Sequence, residues 1–445
     1  MHKQTILLIG EVFIDTHLDI IHEGGPLVRL GGIFHAARAC AALGIDFALA
    51  YYAPNYLNND INYWSLFLGT KGCYQLGKII DAPNVMLIGE SSESGSQGYI
   101  NILKDQTKYI DVGSLDDIVK AVSPTDILFF PGRFDTIKVM DTLQPFTGQV
   151  HIDAHYDSDN LFCSVNREIS TLFLSTSSLL FTEKCGSTFS GFLDFCDGYD
   201  VKQCILKENR GGAVCHCAGK KACFESDSYH VPTMHSVGVG DVYDVAFISQ
   251  VLDIDLAKRM QLAAFCAAKY AETMDYDKFK DNVQLICSHI DELSRLKGIR
   301  LPWDKRKSIN IYLAAPDFPD IDTTLLDSLD NNLKYHNFSP RRPIKENGLA
   351  SPDLDYAKET AMYQKDIELL NKCSLLIAVL LNNDPGTLVE LGMFSQSGKP
   401  TIIFDPFHYC ANMFLRHTPN YICETLSDVI DATYLCLGER KHEEL

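Results

Sequence analysis

Two short runs in this chain place carboxylates where an α/β protein does its chemistry. Near the C-terminus, the apolar run Leu375–Leu381 reads as a buried strand. Asn382-Asn383-Asp384-Pro385-Gly386 reads as a turn and Thr387–Ser397 as a helix. Asp384 then lies in a strand-to-helix loop, with Glu390 about two turns on, beside the crevice where a parallel sheet binds ligands. The plain alternative is a capped helix with one solvated Glu. The second run is Ser236-Val237-Gly238-Val239-Gly240-Asp241. Gly238 and Gly240 open a helix whose bare N–H groups and dipole favour an anion. Asp241 is placed beside that anion to take a proton from an attacking hydroxyl. Its plain alternative is a glycine-rich helix start with a capping Asp.

Elements around each run supply further groups. Ile309–Ala314 is a short apolar strand carrying Tyr312, a helical stretch holds Tyr363-Gln364-Lys365-Asp366, and Gly398-Lys399-Pro400 closes the helix of Glu390. After the strand Thr401–Phe404 come Ala411-Asn412-Met413-Phe414 and Asn420-Tyr421-Ile422. In order and spacing this series resembles the nucleoside 2-deoxyribosyltransferase family over residues 309–445. The resemblance implies Glu390 as nucleophile, oriented by Tyr312. It makes Asp366 and Asp384 the candidates for holding and protonating the base, and Gly386 and Asn412 substrate contacts, Asn412 reaching the pocket of a neighbouring subunit. Breaking an N-glycosidic bond needs such a set: a carboxylate at the sugar C1′ and an acid for the departing base. An Asp at 384 would repel a 5′-phosphate and so favours an unphosphorylated nucleoside. Near a helix start, Glu390 is expected to stay ionised at neutral pH.

The first three hundred residues alternate strand and helix signals. Thr5–Gly10, Leu128–Phe130, Val150–Asp153 and Cys204–Lys207 read as strands; Phe34–Leu43, Val242–Leu252 and Leu256–Thr273 read as helices. Gly10-Glu11-Val12-Phe13-Ile14-Asp15, Gly31-Gly32 and the late G-x-G-D resemble the ribokinase (PfkB) family of sugar and nucleoside kinases. The resemblance implies Asp241 as base, Gly238, Val239 and Gly240 as the anion hole, Gly212 in the nucleotide site, and Asp15 with Gly31 and Gly32 as the sugar contact. ATP and Mg²⁺ are the implied cofactors of this part, with none for the C-terminal part. Three positions depart from the family pattern. Ala36 stands where a sugar-binding Asn is usual, Ser175-Thr176-Ser177-Ser178 where N-x-x-E would orient Mg²⁺, and Asn209 where the nucleotide site has a Gly.

The fold expected is therefore α/β throughout. A ribokinase-like doubly wound sheet (1–295) is followed by a basic linker (296–308) and a flavodoxin- or Rossmann-like deoxyribosyltransferase domain (309–445). Asn337–Pro352 reads as a loop able to act as a lid. The functional expectation is a bifunctional enzyme of nucleoside metabolism: base cleavage or exchange through Glu390, and ATP-dependent phosphorylation of a sugar or nucleoside. The rival is a degenerate kinase-like module that senses a nucleotide and controls a C-terminal nucleotide or NAD hydrolase.

Composition narrows the classes. With 445 residues, two or three domains are expected. The net charge of −19 disfavours nucleic acid and anionic membrane as partners. No apolar run approaches the roughly 20 residues that span a bilayer, and Met1-His2-Lys3-Gln4 leads into a strand rather than a signal sequence. Small molecules (nucleosides, free bases or sugars), a homo-oligomer and a cytoplasmic location are the expectations. The 15 cysteines form no C-x2-C pair. Cys215-His216-Cys217 with Cys223, and His151, Asp153 and His155, are the two groups weighed for metal; neither is taken as a metal site.

Overall fold

The computed structural model describes all residues except 1–2, 23–24, 96–98, 103–107, 112–113, 155–166, 221–222, 350–354, 383 and 440–445. The chain divides into two compact units, Met1–Ser92 with Gln97–Gly298, and Ile299–Leu445 with Glu93–Ser96. The division falls inside the stretch read as a linker. Leu301, Trp303 and Arg306 of that stretch are buried, and Trp303–Arg306 forms a helical turn.

The first unit is built on a ten-stranded sheet. In spatial order its strands are Phe224–Ser226, Ala213–Cys217, Val201–Lys207, Ile169–Ser175, Gln149–Asp153, Asp126–Phe129, Thr5–Glu11, Asp46–Ala53, Gly72–Ile80 and Lys108–Asp111. The seven strands from Val201–Lys207 to Gly72–Ile80 are parallel. Central parallel strands are covered on both faces, hence Ile6, Leu7, Leu8 and Ile9 are all fully buried. The chain first winds outward from Thr5–Glu11 to Gly72–Ile80, then returns to Asp126–Phe129 on its other side. That reversal opens a crevice at the carboxyl ends of the strands. A second sheet of four strands, Gly25–Leu30, Ile14–His22, Val85–Ile88 and Ile100–Asn101, carries Asp15.

The second unit has five parallel strands in the order Ser339–Arg341, Asn310–Ala314, Leu375–Val379, Thr401–Phe404, Tyr421–Cys423. This is the 2-1-3-4-5 order of flavodoxin-like sheets, with its switch point between Asn310–Ala314 and Leu375–Val379. The stretch read as a lid is more ordered than expected. It contains the strand Ser339–Arg341 and the helix Pro343–Asn347, and Arg342 is buried in a two-pronged ion pair with Asp317 at 2.6 and 2.8 Å. A planar guanidinium held at both prongs fixes this segment in place. Residues 350–352 lie outside the described residues.

Candidate active sites

In the second unit, Tyr312 comes from a strand that is buried from Ile311 to Ala314, and its hydroxyl donates to Glu390 Oε1 at 2.7 Å. The two residues sit on either side of the switch point. Asp384 caps the helix Pro385–Gln396, accepting from Thr387 N at 2.7 Å and Thr387 Oγ1 at 2.8 Å, with Pro385 at the first helical position. The helix thus begins two residues earlier than Thr387. A Cβ on Gly386 would lie 3.1 Å from the Asp384 carboxylate, so a side chain there would press on the cap.

Glu390 does not keep the ordinary acidity expected for it. Burial pushes its carboxyl up to about 7, repulsion from Asp366 and Asp384 adds to this, and the Tyr312 hydrogen bond opposes both. The helix dipole fades within the first turn, and Glu390 is the sixth helical residue, so desolvation wins. The same carboxylate, with burial as the larger cause, holds the Tyr312 phenol far above its usual range and so keeps it a donor. Asp366, half-buried on the helix Tyr356–Lys372, accepts from Asn347 Nδ2 at 2.7 Å.

Two residues here were not singled out from the sequence. Asn347, in the stretch read as a lid, holds Asp366. Asp405, buried after the strand Thr401–Phe404, accepts from the backbone N–H of Tyr409 and Cys410, each at 2.8 Å. Asp405 thereby shapes the loop before Asn412, which is exposed and caps the helix Met413–His417. A carboxylate closing an apolar strand was the available signal.

The first unit assembles a second group. Gly238 caps the helix Val239–Ile248 in a left-handed conformation (φ 76°) without a side-chain cap. A Cβ on it would lie 2.0 Å from the His35 ring, so only glycine fits. The N–H of Val239 donates to the Ser236 carbonyl at 3.2 Å. Lys207, at the end of its strand, reaches under this turn; its Nζ would lie 3.2 Å from a Cβ on Gly240. The ammonium also contacts Asp153 at 3.2 Å and both oxygens of Asp244 at 2.9 and 3.1 Å.

Three carboxylates share that single ammonium. Burial holds Asp244 well above the usual range. Burial, with repulsion from Asp153, lifts Asp241 to about 7, a value suited to a general base at neutral pH. Oxygens of Asp153, Asp241 and Asp244 lie within 4.8 Å of one another. Lys207 bonds Asp153 and Asp244, but its single charge balances only one carboxylate, so these three side chains are the group among the described residues that could hold Mg²⁺. The serine run cannot supply an alternative: Ser175 and Ser177 bond each other at 2.8 Å, and Ser178 caps the helix Leu179–Glu183. Lys207 and Asp244 were missed in the sequence, although Asp244 follows Asp241 by three residues on one helix.

Asp15 is buried, and its carboxylate lies 2.9 Å from His35 Nε2, while His35 Nδ1 meets Tyr270 Oη at 2.8 Å. Burial would raise the Asp15 pKa, but His35 and nearby Arg29 more than offset it, and the net shift is downward. Burial lowers His35 to about 4. A Cβ on Gly31 would fall 2.2 Å from the Asp15 carboxylate oxygens, and one on Gly32 (φ 60°) 2.2 Å from the Glu11 carbonyl. His35, neighbour of Ala36, thus links the Asp15 carboxylate to the Gly238 turn. Asn209 takes a left-handed conformation (φ 51°), which Asn tolerates where a glycine is usual, and Gly212 follows at φ 103°.

The two groups weighed for metal separate. Cys215 and Cys217 pair at 3.8 Å, while His216, pointing to the other face of the strand, meets Cys223 at 3.8 Å and Asp197 at 3.1 Å. His151 bonds Asp126 and Asp153 bonds Lys207, while His155 lies outside the described residues. No helix is long and apolar enough to cross a membrane among the described residues.

No curated protein matches the chain. Similar solved structures include the ribokinase of Arabidopsis thaliana complexed with ribose and ATP (15% identity, TM-score 0.47, 64% of this chain and 98% of that one). Phosphofructokinase-2 from Escherichia coli in complex with potassium is another (14%, 0.47, 65% and 100%). A third is fructokinase with bound ATP from Xylella fastidiosa (13%, 0.49, 64% and 99%). Residues 311–417 match the family model described as nucleoside 2-deoxyribosyltransferase. That match spans Tyr312, Asp366, Asp384, Glu390 and Asn412, and the C-terminal unit therefore carries a nucleoside 2-deoxyribosyltransferase domain.

Proposed function

We propose that the C-terminal unit breaks the N-glycosidic bond of a nucleoside through a covalent intermediate on Glu390. The observation that carries this reading is the 2.7 Å bond between Tyr312 and Glu390 at the sheet's switch point. The ionised carboxylate attacks C1′ of the sugar and the C1′–N bond breaks. The departing base takes a proton from Asp366 or Asp384. Water or a second base then attacks C1′ and frees Glu390. The Tyr312 hydroxyl aims one oxygen and leaves the other for C1′. Asp384, with Gly386 beside it, disfavours a 5′-phosphate. Asn412 is proposed to complete the pocket of a second subunit, which makes the protein a homo-oligomer. Light scattering giving a monomer with full glycosidic activity would contradict that assembly.

The N-terminal unit is proposed to phosphorylate a sugar or nucleoside with ATP. Asp241 takes the hydroxyl proton, the turn at Gly238–Gly240 with Lys207 receives the phosphoryl group, and Gly212 lies at the nucleotide. Asp15, Gly31 and Gly32 face the acceptor. One domain's product, a free sugar or a new nucleoside, would then be the other's substrate. The hydrogen-bonded serine run, which offers no carboxylate for a metal, favours a second reading: a nucleotide-sensing module controlling a C-terminal nucleotide or NAD hydrolase.

Incubation with each deoxynucleoside and a second free base, followed by chromatography, tests the first activity; base release or exchange is expected. ATP consumption with a panel of sugars and nucleosides, with and without Mg²⁺, separates the two readings of the N-terminal unit.

A further inference from the structure

The strands that end at the Asp241 cluster begin at a separate cavity of about 480 Å³. Gln149 and His151, Thr171, and Gln203 line it from the amino ends of three adjacent parallel strands, and Phe247 from the last turn of the helix that starts at Gly238. Its size is that of a small-molecule site. It lies at the opposite end of the sheet from Lys207 and Asp241 and takes no part in the chemistry above.

Two of its lining residues hold buried polar atoms with no bonding partner: His151 Nδ1 and Arg259 Nε. Buried polar atoms are nearly always paired, so each points to something that completes it. His151 is 2% exposed. Its Nε2 lies 3.2 Å from Asp126 Oδ1, and the other oxygen of that carboxylate accepts from Thr125 Oγ1 at 2.6 Å and Gln4 Nε2 at 3.2 Å. An accepting carboxylate places an imidazole proton on Nε2, and a ring carrying that one proton offers Nδ1 as an acceptor. Arg259 Nε is a donor, and its guanidinium lies over the Phe247 ring at 5.7 Å. Among the described residues, the cations at the cavity are Arg259, Lys220 and Lys202, of which Lys202 is already paired with Glu168 at 2.5 Å. A complementary ligand must therefore bring an anionic acceptor for Arg259 and Lys220, and a hydroxyl to donate to His151.

We propose that this cavity binds a small hydroxylated organic anion, a hydroxy acid or a polyol phosphate. Its charged group sits on Arg259 and Lys220 and its hydroxyl on His151 Nδ1. Glycerate and glycerol 3-phosphate are the probes for the two sources of charge. Glycerol and inorganic phosphate each carry only half of the required chemistry.

Calorimetric titration of the full chain, with the histidine ring nitrogens followed by NMR, tests it. Saturable binding of at least one anionic probe is expected, with displacement of the His151 Nδ1 resonance and weaker binding of both half-probes. Arg259→Gln or Lys220→Gln should weaken it about tenfold or more, the loss expected for one charge-assisted bond. Asp241→Asn, at the far end of the sheet, should bind as the parent does. The proposal is overturned if neither anionic probe saturates, if glycerol binds as well as they do, if the His151 resonance stays fixed, or if both charge variants bind unchanged. These readouts need neither phosphoryl transfer nor base release.

Discussion

Tyr312 and Glu390, 78 positions apart in sequence, meet at 2.7 Å across the switch point of the C-terminal sheet. The contact sets both the aim and the acidity of the carboxylate, because the donated hydrogen bond favours its ionised form against burial. Attack requires that form. Base release by the parent should therefore rise with pH through about 7. Tyr312→Phe removes the hydrogen bond that lowers the Glu390 pKa, so its rising limb should move to higher pH. The lost bond is worth about 0.5–1.5 kcal/mol, somewhat more to a charge. A pH profile of base release checks this, and an unmoved limb would contradict it.

Asp241 makes a parallel prediction in the N-terminal unit. Burial and Asp153 hold it near 7, and only its ionised form accepts a proton, so phosphorylation should rise through that pH. Asp241→Asn should lower turnover by about two to four orders of magnitude while ATP binding changes little. Retained turnover would remove Asp241 from the role of base.

Gly31 tests the packing of the proposed sugar contact. A methyl group there would overlap the Asp15 carboxylate at 2.2 Å, so Gly31→Ala should lower the melting temperature and weaken acceptor binding. Shortening the partner in Asp15→Ser should relieve the overlap. The two substitutions together should then be less damaging than the sum of each, as for residues in direct contact. Additive losses in thermal unfolding would show that the two do not press on one another.

Periodicity and punctuation made much of the fold legible. Leu375–Leu381 and Ile309–Ala314 announce buried strands because parallel strands covered on both faces are apolar throughout. Their observed bounds differ only at the ends, Leu375–Val379 and Asn310–Ala314. The glycine motifs marked turns whose conformations are now visible at Gly32 and Gly238. The acidity of Glu390 was not legible, since it depends on how many groups exclude water from the carboxylate. Lys207 and Asp244 were hidden for a related reason: their meaning comes from a pairing between a strand and a helix distant in sequence. Arg342 looked like part of a free loop because Asp317, which anchors it, lies far away in the chain.

The most direct test of the whole account is where the sugar becomes attached. Treated with a slow 2-fluoro-substituted nucleoside, the protein should gain the mass of the sugar on the peptide containing Glu390. Glu390→Ala should fold, gain no label and release no base. Label on a different residue, or undiminished base release by Glu390→Ala, would contradict the covalent mechanism and the role given to the C-terminal unit.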